Sequence, residues 1–128
     1  MRTLGVLGML CCLSLANPAI AANWVRLGTS SSGSVIYIDN DSIRRDGGMV
    51  LYWVRFDASE DATVSWRESK QYYKTDCNAW TSVLLSYVEY DPQGSVVDSG
   101  TMPEYSPMKP VVPETVSEAF ATYACAVQ

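Results

Sequence analysis

The sequence predicts an α+β fold: an antiparallel β-sheet meander of about six strands, with one C-terminal α-helix packed on the sheet and tethered by a disulfide. Three observations carry this. Short β-branched and aromatic runs, separated by turn signals, fill the chain from Trp24 to Met102. The character changes at Pro103, and helical spacing takes over toward the C-terminus. Two cysteines, Cys77 and Cys125, remain once an N-terminal export signal is set aside.

The signal is expected over residues 1–21. Met1-Arg2 is a short basic start, and the apolar run from Leu4 to Leu15 is 12 residues long. A membrane-spanning helix needs roughly 20 apolar residues. Ala19-Ile20-Ala21 then reads as a small-residue cleavage signal. Cys11 and Cys12 leave with the signal. Neither is preceded by the small residue that a lipoprotein signal requires, so ordinary cleavage is expected. The remaining 107 of the 128 residues, 22–128, are expected to form a single domain.

The strands follow in order. Asn23-Trp24-Val25-Arg26-Leu27 alternates weakly as a first strand, and residues 28–34 are a Gly/Ser/Thr turn. Val35-Ile36-Tyr37-Ile38 is a β-branched and aromatic strand. Residues 39–46 are polar, and Gly47-Gly48 closes a hairpin-type connection. Residues 49–56 form the best strand. Val50, Tyr52, Val54 and Phe56 lie on one face, and Met49, Leu51, Trp53 and Arg55 on the other. Both faces are largely apolar, which predicts a central strand covered on both sides. Residues 63–77 read as one long strand with a polar face, and residues 80–90 as the next, with Asn78-Ala79 turning the chain. Asp91-Pro92-Gln93-Gly94 is a turn with proline second and glycine fourth. Residues 95–102 make a final strand.

Pro103, Pro107, Pro110 and Pro113 then fall within 11 residues. Proline removes ladder donors, so this stretch is expected to be a crossing loop and not a strand. Pro113 suits a first helical turn, and Glu114 favours the positive end of the helix dipole. Val116, Phe120, Tyr123 and Ala124 recur at near-helical spacing, which predicts a helix over residues 114–125. Export to an oxidising compartment with two cysteines predicts the bridge Cys77–Cys125, pinning that helix to the sheet.

Composition excludes several chemistries. The chain has no histidine, so His-dependent triads and zinc sites are ruled out. With Arg2 gone, 8 Lys and Arg face 14 Asp and Glu, a net charge of −6. An acidic domain of this kind repels phosphate backbones, so no nucleic-acid partner is expected. Asp39 and Asp41 make a D-x-D pair, but Ile43 and Arg44 stand where a calcium loop needs an oxygen ligand and a glycine. Asp39 is expected to accept backbone hydrogen bonds in a turn, and no metal is expected. Glu60, Asp61, Glu68, Glu89 and Asp91 supply carboxylates, but nothing marks a cleft that would split their pKa values, so no enzyme activity is expected. Haem would lack a histidine ligand and the cysteines are committed, so no cofactor is expected.

Several pieces of the chain resemble the surface-adhesin protein E family of bacterial envelope proteins. They are Trp24 just after the signal, YIDNDSI (37–43), GGMVLYWV (47–54), TDC ending at Cys77, DPQGSVV (91–97) and the terminal VPETVSEAFATYAC ending at Cys125. The order of these pieces and the two cysteine positions carry the resemblance over nearly the whole exported chain. It implies a small antiparallel sheet with a disulfide-held C-terminal helix. It also implies an envelope protein of a Gram-negative bacterium whose namesake attaches to host proteins. The namesake is anchored as a lipoprotein, whereas no lipobox is present here.

Aromatic content is the positive binding signal: eight tyrosines, four tryptophans and two phenylalanines. Tyr72 and Tyr73 are adjacent, so on a strand one of them faces away from the core. Lys70 and Lys74 alternate with Tyr72 on one face. Together with Tyr87, Tyr90 and Tyr105 they form the candidate binding surface, because exposed tyrosine is enriched at interfaces. The reading is a non-enzymatic, exported protein-binding module acting on a host matrix or envelope protein, in the periplasm, on the outer-membrane surface or secreted. The alternative is a periplasmic inhibitor or envelope-assembly factor with the same fold. Sheet extension through the edge strand at Trp24 would also allow a homodimer.

Overall fold

The computed structural model describes residues 21–127. All but the last residue of the expected signal segment, including Cys11 and Cys12, lies outside them. The strands are β1 (Trp24–Thr29), β2 (Val35–Asp39), β3 (Arg44–Asp46), β4 (Met49–Asp57), β5 (Glu68–Asp76), β6 (Thr81–Tyr90), β7 (Val96–Thr101) and β8 (Lys109–Pro110), followed by helix α1 (Val116–Ala126). All pairings are antiparallel, in the order β1-β2-β4-β5-β6-β7, with β3 beside β4 and β8 beside β6. This is the expected meander with a C-terminal helix, extended by two short strands. Among the described residues no helix is long and apolar enough to cross a membrane.

Turn chemistry sets the connections. Asp91 accepts from the backbone N–H of Gln93 at 3.0 Å and of Ser95 at 2.9 Å. Gly94 sits at φ +81°, where a side chain would be strained. Asp76 likewise accepts from Asn78 and Ala79, each at 2.9 Å, and turns β5 into β6.

Four local expectations are corrected. Arg44-Arg45-Asp46 is not merely a polar connection. It pairs with Met49, Val50 and Leu51 across the Gly47-Gly48 turn. Within the proline-rich segment, Lys109–Pro110 does pair with Thr81 and Ser82. The sheet tolerates this because Pro110 lies on an outer edge and the next residue, Val111, donates to Trp80 O at 3.0 Å. Strand β5 begins at Glu68 rather than Thr63, because the Asp61 carboxylate takes the Thr63 backbone N–H at 3.0 Å and its hydroxyl, curling that stretch. The helix starts after Glu114, which sits at φ +61° and so cannot be helical. Thr115 is the N-cap. Its hydroxyl accepts from Glu118 N at 3.3 Å while the Glu118 carboxylate reaches back to Glu114 N at 3.4 Å.

The core lies between α1 and one face of the sheet. Ile36, Ile38, Val50, Tyr52, Val54, Phe120 and Ala124 form it. Phe120 is 1% exposed and meets Phe56 edge-on at 5.7 Å and Tyr73 at 6.0 Å. Burial of such a ring stabilises by about 3 kcal/mol. Tyr52 carries its hydroxyl into a buried chain, 2.8 Å from Thr75 Oγ1, which is 2.6 Å from Ser82 Oγ. The helix C-terminus is held twice. Cys125 is bridged to Cys77, with Cα atoms 5.8 Å apart. Arg45 donates to the carbonyls of Cys125 at 2.7 Å and Val127 at 2.8 Å, placing a cation at the negative end of the dipole.

Strand β4 is central, as its pattern predicts, but α1 covers only the face of Val50, Tyr52 and Val54. The face of Leu51, Trp53 and Arg55 is layered by its own neighbours. The two faces cannot be told apart by apolar content, since Trp53 shields itself by stacking instead of by burial under a helix.

Candidate functional site

That second face is built by cross-strand register. One row runs Arg26, Tyr37, Arg55, Lys70 and Val88 across β1, β2, β4, β5 and β6. The next row brings Trp53 opposite Tyr72, and Tyr72 opposite Ser86. A third sets Arg44, Leu51 and Lys74 side by side. Glu68 lies opposite Tyr90, and Trp24 opposite Asp39.

The side chains stack in file. The Trp53 and Tyr72 rings lie 4.9 Å apart at 24°. The Arg55 guanidinium sits 4.2 Å from the Tyr37 centroid and 5.4 Å from that of Trp24. Lys70 Nζ lies 5.2 Å over Tyr90. Each cation–π contact contributes about 0.5–1 kcal/mol where partly exposed. Arg55 Nε is out of reach of water and has no hydrogen-bond partner among the described residues. The ion pair of Lys70 with Glu68 is long, at 3.6 Å.

Of the residues singled out from sequence, the fold brings Lys70, Tyr72, Lys74 and Tyr90 together on this face. Tyr73 points the other way, beneath the helix beside Tyr52 and Phe120, and burial with the nearby Tyr52 pushes its phenol up to about 12. Its hydroxyl donates to Gln71 Oε1 at 2.7 Å. Tyr87 is also on the helix side of the sheet, where its hydroxyl donates to Asp98 at 3.1 Å. That hydrogen bond, above all, raises the Tyr87 pKa. Tyr105 lies off the sheet in the proline-rich segment, 90% exposed. Trp24, Arg26, Tyr37, Arg44, Trp53 and Arg55 complete the face and were not among the candidate binding residues. Their strand alternation was readable, but the register joining them was not.

The carboxylates weighed for catalysis have other partners. Asp61 is buried and accepts from Ser34 Oγ at 2.6 Å and Ser32 Oγ at 2.8 Å, besides Thr63. These bonds, that of Ser34 first, hold its pKa well below the ordinary carboxylate range. They lock the β1–β2 turn to the segment after β4. Glu89 is shifted upward by burial and then by the charge of Asp98. Asp39 accepts from the backbone N–H of Asn23 at 2.9 Å and of Asp41 at 3.1 Å, the turn role its position predicts.

A family model described as surface-adhesin protein E matches residues 24–126 of this chain. Solved structures share the architecture. Two structures of Haemophilus influenzae protein E, one of them a second crystal form, align with a TM-score of 0.57 at 20% identity, over 88% of this chain and 91% and 94% of theirs. A structure of protein E from non-typeable Haemophilus influenzae aligns at a TM-score of 0.54 and 20% identity, over 88% of this chain and 82% of its own. No curated protein matches the chain. At this identity the structures speak for the fold alone.

Proposed function

The chain belongs to the surface-adhesin protein E family, and from that premise we propose that it is an exported, non-enzymatic protein-binding module of the cell envelope that attaches to extracellular host proteins through its sheet. The observation that carries this is the face opposite the helix. It holds Trp24, Tyr37, Trp53, Tyr72 and Tyr90 on one surface, and the only α-helix among the described residues lies on the other side. Aromatic side chains backed by a rigid sheet lose little entropy on binding and supply large contact area. The helix and its bridge act as scaffold, holding the sheet from behind.

The test is a binding panel of immobilised extracellular matrix proteins, run with the disulfide-intact protein and with Trp53→Ala/Tyr72→Ala. At least one matrix protein should be bound, and the double variant should lose binding tenfold or more while its thermal unfolding stays cooperative. Binding that survives the double variant would move the site off this face. Failure to bind any member, together with protection from protease on intact cells until the outer membrane is permeabilised, would overturn the adhesive reading.

A further inference from the structure

We infer that the sheet face opposite the helix is built for an acidic ligand, an extended glutamate- or aspartate-rich segment of a partner protein; this rests on the same face being the binding surface.

The argument begins with charge. The exported chain is strongly acidic, yet five of its eight cationic side chains, Arg26, Arg44, Arg55, Lys70 and Lys74, project from this face. Among the described residues the ion pairs are Arg67 with Asp57 and Lys70 with Glu68, so Arg26, Arg44, Arg55 and Lys74 have no carboxylate paired to them. Among the described residues none of these four cations has a carboxylate within ion-pair distance, although the face also carries five carboxylates. Carboxylates on the same face stand only at strand ends: Asp39, Asp46, Asp57 and Asp76 close their strands and Glu68 opens β5. The middle is therefore cationic and the ends are acidic.

Ring orientation points the same way. Trp53 and Tyr72 use a face against each other, Tyr37 against Arg55, and Tyr90 against Lys70. Trp53 and Tyr72 stack across adjacent strands at 4.9 Å, about the strand spacing, so these rings stand upright on the sheet with their edges outward. A ring edge is the positive part of the quadrupole. The surface offered to a ligand thus combines cationic heads with positive ring edges, which suits carboxylates better than the flat apolar side of a sugar.

Dimensions select an extended chain. Arg26 and Lys70 are three strands apart in the sheet order, about 14 Å at the usual strand spacing. Lys70 and Lys74 are four residues apart on β5, about 13 Å. Alternate side chains of an extended peptide recur at about 6.8 Å, so two or three carboxylates fall within reach of these heads at once. A second copy of this face would set cation against cation and is disfavoured.

The experiment titrates isotope-labelled, disulfide-intact protein with a dodecapeptide of alternating glutamate and threonine. Its glutamine counterpart and a heparin dodecasaccharide are titrated in parallel. The glutamate peptide should shift the indole N–H signals of Trp24 and Trp53 and the amides of Arg55, Lys70 and Tyr72. The glutamine peptide should bind at least tenfold more weakly. Lys70→Gln/Lys74→Gln, both at half-buried surface positions, should cost the glutamate peptide at least tenfold with no loss of the folded spectrum. Equal binding of the two peptides, shifts on this face from heparin alone, or no shift on this face would each overturn the inference. A matrix protein that needs Trp53 and Tyr72 but ignores Lys70→Gln/Lys74→Gln would also overturn it, while leaving the face as the binding surface.

Discussion

Removal of the Cys77–Cys125 bridge tests how the helix is held. The two cysteines are 48 residues apart in sequence. Closing a loop of that size removes unfolded-state entropy worth about 4 kcal/mol, so Cys77→Ser/Cys125→Ser should lower global stability by about 2–4 kcal/mol. The loss should not fall evenly. Without the bridge, the end of α1 keeps the contacts of Arg45 with the carbonyls of Cys125 and Val127, and Tyr123 Oη donating to Asn40 at 2.8 Å. These are surface or half-buried bonds, each worth about 1 kcal/mol. The remaining anchor is Phe120 with Ala121 and Ala124, where burial of the ring contributes about 3 kcal/mol. Peeling of α1 alone then becomes cheaper than opening the sheet, whose β4 residues Val50 and Val54 are paired with a strand on each side. Urea denaturation gives the global change, and native-state amide exchange gives the local one. In the double serine protein, amides from Phe120 to Cys125 should open at least 1 kcal/mol more readily than those of β4, a wider gap than in the bridged protein. Equal acceleration in both segments would show that helix and sheet open as one unit, and the tether argument would fail. Unchanged global stability would refute the loop-entropy reasoning itself.

Three further outcomes are expected. Phe120→Ala should destabilise by about 3–5 kcal/mol in denaturant titration, because the ring fills the space between Phe56 and Tyr73; a loss under 1 kcal/mol would mean the helix does not carry the core. Gly33→Ala should cost about 3 kcal/mol, since Gly33 sits at φ +109° and a Cβ there would lie 2.5 Å from the Glu60 carbonyl oxygen; a melting temperature equal to that of the parent would contradict the close approach. The pKa of Asp61 is depressed by folding, so its contribution is complete above its unfolded value of about 3.9 and is lost as pH falls through the lower folded value. Melting temperature should accordingly drop between pH 5 and pH 2, and Asp61→Asn should be less stable at pH 7 and less sensitive to acid; identical acid profiles would show that another group governs the loss.

Several features rest on local physics and were legible in the chain alone. Asp91-Pro92-Gln93-Gly94 turns through its own residues, because proline fixes φ, glycine admits a positive φ and aspartate caps the backbone. The β-branched and aromatic run from Met49 to Phe56 specified a strand, and cysteine arithmetic specified the bridge. The T-x-x-E pattern from Thr115 to Glu118 is a local signal of the true helix start, one residue beyond the Glu114 start expected from Pro113. Non-local packing settles which of the two apolar faces of β4 receives the helix, and with it that Tyr73 packs beneath the helix while Tyr72 joins the open face. It also decided that Lys109–Pro110 finds Thr81 and Ser82, and that Arg45 caps a helix about 80 residues away. The cationic and aromatic face belongs to this second class. Arg26, Tyr37, Trp53, Arg55 and Lys70 come from four separate strands, and each strand declares only its own parity. Their meeting depends on cross-strand register, which non-local hydrogen bonds and the packing of Phe120 set together, because a one-residue slip would turn every side chain of a strand to the other face.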